Sequence, residues 1–270
     1  MSTFASRRFR NLALFCAVTI FVVTGHTVLE TALLQTTFFT GWFLAGLIVL
    51  LAAYNIYKRF PFLPLGSSST WLQLHIYSGL LTSVLFLLHI GGRWPSGLFE
   101  RLLAVVYLAV FLSGIVGLAL TRTLPRRLSI RGEEVIFERI PTFIRQLREQ
   151  VEQLVCQCVE ETGSTAVPDF YLKHLKSFFE RPRNLFNHLM HSEHPRHQLM
   201  TSLQEHSDFL NEAERKTMQQ IGELVMTKDD LDFHYSLQAV LKYWFFVHVP
   251  ATYSLMVLMV FHAILAHSFS

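Results

Sequence analysis

Apolar residues in this chain fall into five long runs and one long interruption. The runs cover about 11–33, 38–57, 71–90, 102–120 and 243–266. Each is close to the ~20 residues a helix needs to cross a ~30 Å hydrocarbon layer. The first run is weakened by His26 and Glu30 near its end and is preceded by Arg7, Arg8 and Arg10. No small-residue cleavage site follows it, so an uncleaved signal anchor is expected rather than a removable signal peptide. Residues 122–239 have the composition of a water-soluble protein. Within them Ile144, Leu147, Val151, Leu154, Val155 and Cys158 recur at helical spacing with charges between them, which predicts an amphipathic helix. Gly163 and Pro168 end that pattern, and Pro182 and Pro195 break the chain again. Thr227 with Asp230 three residues on has the form of an N-terminal cap, predicting a new helix that runs into the last span. The expected fold is all-α: a polytopic membrane helical bundle of about five transmembrane helices with a small helical cytoplasmic insertion. Residues 1–121 carry four of the helices, 122–239 form the insertion, and 240–270 supply the fifth helix.

Charge gives the bundle a direction. If the runs cross alternately, Arg7, Arg8, Arg10, Lys58, Arg59, Arg122, Arg126, Arg127, Arg131 and Lys242 all fall on one side. The other side has only Arg93 and Arg101 in its loops. By the bias of basic residues toward the cytoplasm, the N-terminus and the insertion face inward and the C-terminus outward, as in a bacterial cytoplasmic membrane. The overall composition, 51% hydrophobic and 16% charged, averages over these two unlike parts. The net charge of +3 is small, and the basic residues sit at membrane edges rather than in an aromatic-laced stripe, so a nucleic-acid partner is not expected. Cys16 lies in an apolar run, and Cys156 with Cys158 is too small a set for a tetrahedral zinc site. The Cys-x-x-Cys-His motif is absent, which excludes covalent c-type haem attachment.

The candidate chemistry lies in four histidines inside two of the runs. His75 and His89 are fourteen residues apart, and so are His248 and His262. Fourteen residues make just under four helical turns, so each pair shares one face with its members roughly 21 Å apart along the axis. A single membrane histidine is as readily a polar residue bonded to a neighbouring helix. Two pairs with one spacing predict something more specific: two stacked bis-histidine sites for two non-covalent b-type haems. The topology makes the third and fifth runs parallel, which matches His75 with His248 on the inner side and His89 with His262 on the outer. Gly79, one turn past His75, would let a flat macrocycle approach the backbone. Gly114 and Gly117 suit close helix packing, and Pro250 would bend the last helix or free a carbonyl. Arg93 is the expected outer cation for haem propionates, with Arg59 and Lys242 as inner candidates. His267 is expected to be a surface residue at the outer boundary. His26 with Glu30, one turn on, is a candidate for outer-side proton handling.

The segments LQLHIYSGLLTSVLFLLHIG and FFVHVPATYSLMVLMVFHAIL, with the inward N-terminus and the insertion between the fourth and fifth runs, resemble the ferric reductase-type transmembrane domain. That group includes ferric reductases, NADPH oxidases and haem-binding membrane subunits of bacterial reductases. The resemblance covers about 140 residues and is one of topology and ligand spacing. It implies that His75, His89, His248 and His262 are axial ligands to two haems. The family has six spans where five are read here, and no glycine-rich dinucleotide fingerprint occurs in this sequence. What the resemblance implies is therefore an electron-carrying membrane subunit. Its donor would be a redox partner protein, docking on the insertion or at the outer surface, or a lipid-soluble carrier such as a quinone.

His188, His191, His194 and His197 recur every three residues inside the insertion. Such spacing drifts around a helix, Pro195 interrupts it, and a solvated histidine-rich loop is the expected form rather than a metal site. Two rival functions follow from the same residues. One is a metal-ion transporter or sensor that uses the histidines as a relay. The other is a membrane anchor that recruits a soluble complex through the insertion.

Overall fold

The computed structural model describes residues 2–32, 35–59, 67–129, 135–190 and 192–268. Leu33, Arg131 and His191 lie outside the described residues, as do the side chains of Arg7, Arg8, Lys58 and Arg59. Among the described residues every regular element is helical and no strand occurs. Five helices are long and apolar enough to cross a membrane, so the chain has the build of a multi-pass membrane protein. They are α1 (Ser2–Thr31), α2 (Thr36–Arg59), α3 (Ser68–His89), α4 (Leu98–Leu128) and α10 (Glu212–Ser268). Between α4 and α10 lie α5 (Ile140–Thr162), α6 (Ala166–Phe170), α7 (Lys176–Glu180), α8 (Leu185–Leu189) and α9 (His194–Ser207). The chain divides into two compact units, Met1–Leu118 with Phe245–Ser270, and Ala119–Trp244.

The first unit is a helical bundle whose core is small because most of its apolar surface faces outward. Leu44 and Ile48 of α2, Leu81, Leu85 and Phe86 of α3, Ala104 and Tyr107 of α4, and Leu255 of α10 make up that core. Exposed Phe21, Trp42, Leu87, Leu112 and Phe261 would be costly in water and are at home in lipid. Ser67 starts α3 by accepting a hydrogen bond from the Thr70 amide, satisfying one of the helix's orphan donors. α1 meets α3 through the Asn11 amide, which donates to Gln73 Oε1 at 2.6 Å, and through Phe15 against Tyr77.

The second unit has its own buried apolar core. α5 buries Ile140, Ile144, Leu147, Val151, Val155 and Cys158. This is the expected stripe begun one turn earlier, with Leu154 at its edge. Gly163 ends the helix at φ 66°, its amide donating to the Val159 carbonyl. A left-handed residue there favours glycine. Phe170, Leu175, Phe179, Ile221 and Val225 close over the stripe. The segment Tyr171–Leu175 is wound as a π-helix, and the Tyr171 phenol donates to Glu152. Burial and that carboxylate push the phenol's pKa up.

The second unit departs from the sequence pattern at two places. No helix starts at Thr227: α10 is already under way from Glu212, and the Thr227 hydroxyl donates back to the Glu223 carbonyl. The real start is at Asn211 and Glu214, whose side chains each bond the other's backbone amide, a reciprocal capping box. His188 is no solvated residue. It is 5% exposed, with Nε2 3.5 Å from Asp229 Oδ1, whereas His194 and His197 are exposed. In the first unit, Pro250 does not interrupt α10.

Candidate functional site

His89 closes α3, and the peptide after it turns through Gly91 and Gly92, both at positive φ. His262 lies on α10. Their ring centroids are 6.2 Å apart with the planes at 87°. An imidazole nitrogen lies about 1.1 Å from its ring centre and about 2.0–2.1 Å from a metal it ligates, so two imidazoles on opposite sides of one ion have centres roughly 6.2–6.4 Å apart. The observed separation falls at that distance, which edge-to-face packing of two rings also gives.

The hydrogen bonding around His89 favours the same role. Nδ1 lies 3.1 Å from the Thr37 carbonyl. A carbonyl only accepts, so Nδ1 carries the proton and Nε2 keeps the lone pair a metal needs. The Thr40 hydroxyl stands 3.5 Å from the same nitrogen. Across α2, Gly41 leaves the space the ring occupies: a Cβ there would lie 2.9 Å from His89 Cε1. His262 is flanked by Phe99, whose ring centroid is 6.5 Å away at 25°. Both histidines line a cavity of about 390 Å³, inside the ~300–1,000 Å³ range of small-molecule and cofactor sites. Arg93 and Glu100 are its charged lining residues, and Arg93 is otherwise exposed. His267 is exposed as expected, yet it also lines this cavity, with its ring 5.3 Å from Phe38 and 5.9 Å from Trp42.

His75 and His248 line a second cavity together with Gly79 and Gly114. His248 Nδ1 lies 2.8 Å from Ser113 Oγ, a hydroxyl that can accept from Nδ1–H and leave Nε2 as the ligand atom. The Tyr54 ring stands 5.0 Å from that of His75. A Cβ on Gly79 would meet nothing within 4 Å, and one on Gly114 would rest 3.8 Å from His248 Cε1. Gly114 therefore faces the histidine, and among the described residues no other atom of a neighbouring helix lies within 4 Å of that Cβ. At about 110 Å³ this cavity is tighter than the usual range for a cofactor. The His89–His262 pair has the separation and the cavity a cofactor needs, whereas the cavity shared by His75 and His248 would have to widen to take one.

Lys242 is engaged by Glu138 at 3.1 Å and by the Phe137 ring. His26 Nε2 is 4.0 Å from the Glu30 carboxylate, and nothing else titratable joins that pair among the described interactions. Sequence reasoning missed Thr37, Gly41, Tyr54, Phe99 and Ser113. Only Ser113, a hydroxyl in an apolar helix, carried a signal that could have been followed.

Two substitutions test these supports. Gly41→Val should push the His89 ring out of register, and Ser113→Ala should leave His248 Nδ1 without its hydroxyl. Loss of a group that orients a ligating histidine costs about 10–100-fold in metal affinity. If these histidines hold a cofactor, the first variant should lose it from the His89 pair and the second from the His75 pair. Bound haem per chain after gel filtration measures both, and full retention in both would contradict these roles.

Comparison of the chain with family models, with curated proteins and with solved structures found no significant match.

Proposed function

We propose that the protein is a membrane-embedded di-haem b-type cytochrome, an electron-carrying subunit that links a cytoplasmic or quinone-side partner to one on the outer side. The observation that carries this reading is the His89–His262 pair, with centroids 6.2 Å apart inside a cavity of about 390 Å³. Haem supplies a one-electron couple whose potential is set by axial ligands, nearby hydrogen bonds and burial.

The chain's own residues divide the remaining work. His89 and His262 ligate at the outer site, and His75 and His248 at the inner one. The Thr37 carbonyl fixes Nε2 as the ligand nitrogen of His89, and the Ser113 hydroxyl, accepting from Nδ1–H, would do the same for His248. Arg93 supplies positive charge for the carboxylates of the outer haem. Leu44, Ile48, Phe86 and Leu255 keep the larger cavity apolar. The Lys/Arg bias supports a cytoplasmic N-terminus and second unit, and on that reading the His75–His248 site is the one nearer that compartment. Protein partners would dock on the cytoplasmic unit or at the outer surface.

Electron paramagnetic resonance of the oxidised protein tests the ligand geometry. Crossed imidazole planes, as in the 87° of His89 and His262, give a strongly anisotropic low-spin ferric signal. The proposal expects that signal, and expects His89→Ala to abolish it. A high-spin signal alone would contradict bis-histidine ligation. Zinc or copper binding without any haem would favour the metal-transport alternative.

A further inference from the structure

The second unit contains a small cavity that the haem reading does not use. It measures about 130 Å³ and is lined by Arg183, Asn184, Arg196, His174 and Asp229, over an apolar floor that includes Phe178 and Val225. These residues come from different parts of the chain: His174 from the π-wound turn, Arg183 and Asn184 from the α7–α8 connection, Arg196 from the first turn of α9, and Asp229 from α10.

The charge balance of this cavity is uneven. Asp229 is 2% exposed, and its carboxylate lies 3.5 Å from His188 Nε2, an imidazole that balances it only when protonated. It also lies within Coulombic reach of the buried Lys228 ammonium. Among the described residues no carboxylate pairs with the Arg183 or the Arg196 guanidinium. Two guanidinium groups, the His174 imidazole and the buried Asp229 carboxylate therefore meet at one concave site, with the guanidinium charges in excess. Asn184 holds the connection in place at φ 57°, the one non-glycine residue at positive φ among those described. Asparagine is among the few residues that tolerate this conformation. The opening turn of α9 adds the positive end of a fourteen-residue helix, as a supplement to the side chains.

We propose that this cavity binds a phosphoryl group, either as free inorganic phosphate or as the phosphate end of a soluble phosphomonoester. The planar, multiply donating guanidinium matches phosphate oxygens in a way an ammonium does not. The space is enough for a tetrahedral oxyanion and too small for a nucleotide to enter whole. A bound phosphate would bridge the α7–α8 connection to α9, and binding to the folded form alone would stabilise the unit by mass action. The inference is independent of haem.

The test uses the full chain in detergent, titrated calorimetrically with inorganic phosphate and, separately, with glycerol phosphate, at constant ionic strength balanced with chloride. The expected result is one saturable site. Arg183→Ala and Arg196→Ala should each weaken it about tenfold or more, the loss expected for a hydrogen bond to a charged group, and Arg196→Lys should restore part of it. Helix content by circular dichroism shows that each variant is folded. Binding of both ligands assigns free phosphate as sufficient. Binding of the monoester alone assigns the site to the end of a larger ligand. No saturable binding of either, or unchanged binding in the Arg183→Ala/Arg196→Ala double variant, would overturn the proposal.

Discussion

Replacing His262 by alanine is expected, on the proposed di-haem function, to remove one b-type haem and leave the other. His262 shares its cavity with His89 at a 6.2 Å centroid separation. His75 and His248 line a different cavity, with Gly79 between them and the first pair on α3. Because His75 and His89 are fourteen residues apart on α3, as His248 and His262 are on α10, the two sites are roughly 21 Å apart, too far for one to supply a ligand to the other. Haem per chain should fall by half, and the remaining component of the redox difference spectrum should keep its position. Replacing His248 should remove the complementary component. Loss of both haems on either change would contradict separate sites, and loss of none would contradict ligation. Gly41→Val should mimic the His262 change in a weaker form, because it displaces the partner ring rather than deleting a ligand.

The second large effect is expected far from the histidine pairs in sequence and chemistry. Lys228 and Asp232 are both 0% exposed, one turn apart on α10, with Nζ 2.5 Å from Oδ2. The ammonium also donates to the Arg181 carbonyl and sits over the Phe178 ring at 4.2 Å. Lys228→Met keeps most of the volume and removes the charge, leaving a buried carboxylate without its cation. Breaking a buried pair in this way costs about 3–5 kcal/mol. Replacing both partners by apolar residues of similar size, Lys228→Met with Asp232→Leu, should return most of that loss, since the pair itself contributes little net stability once its desolvation is counted. Pulse proteolysis of the full chain in urea reads the stability of the second unit directly. A single variant as stable as the parent would show that water reaches Asp232. A double variant as unstable as the single would show that packing, not charge, sets the cost.

The helices of the bundle are legible in the sequence because bilayer thickness demands long apolar runs, and no soluble packing constraint obscures them. The α5 stripe is legible for a similar reason, as its period of 3.6 survives in the sequence. The start of α10 is not. Thr227 and Asp230 carry the residue types of a cap, but tertiary packing of Ile221, Val225 and Leu231 holds the helix straight through them. Lys228 and Asp232 read as solvent-facing charges by type, and only the fold shows that Phe178 of α7 and the Arg181 carbonyl close over them.

The histidine pairs illustrate a different limit. Equal spacing on two parallel helices is enough to bring His89 and His262 within reach of one another, since helix geometry alone sets their level along the axis. What completes the site is invisible at that level. The group that fixes the His89 proton is the backbone carbonyl of Thr37, which any residue would provide. The space for its ring is Gly41, one glycine in an apolar run that also contains Gly46. His188, expected in a solvated histidine-rich loop, is instead buried beside Asp229.

The most direct measurement is the dithionite-reduced minus oxidised spectrum of the purified full-length protein, taken with a quantitative haem assay. A di-haem cytochrome should show b-type bands and two haems per chain, falling to one in the His262→Ala protein. A chain that purifies folded, with its helix content intact, and shows no haem band after expression with ample haem would contradict that assignment.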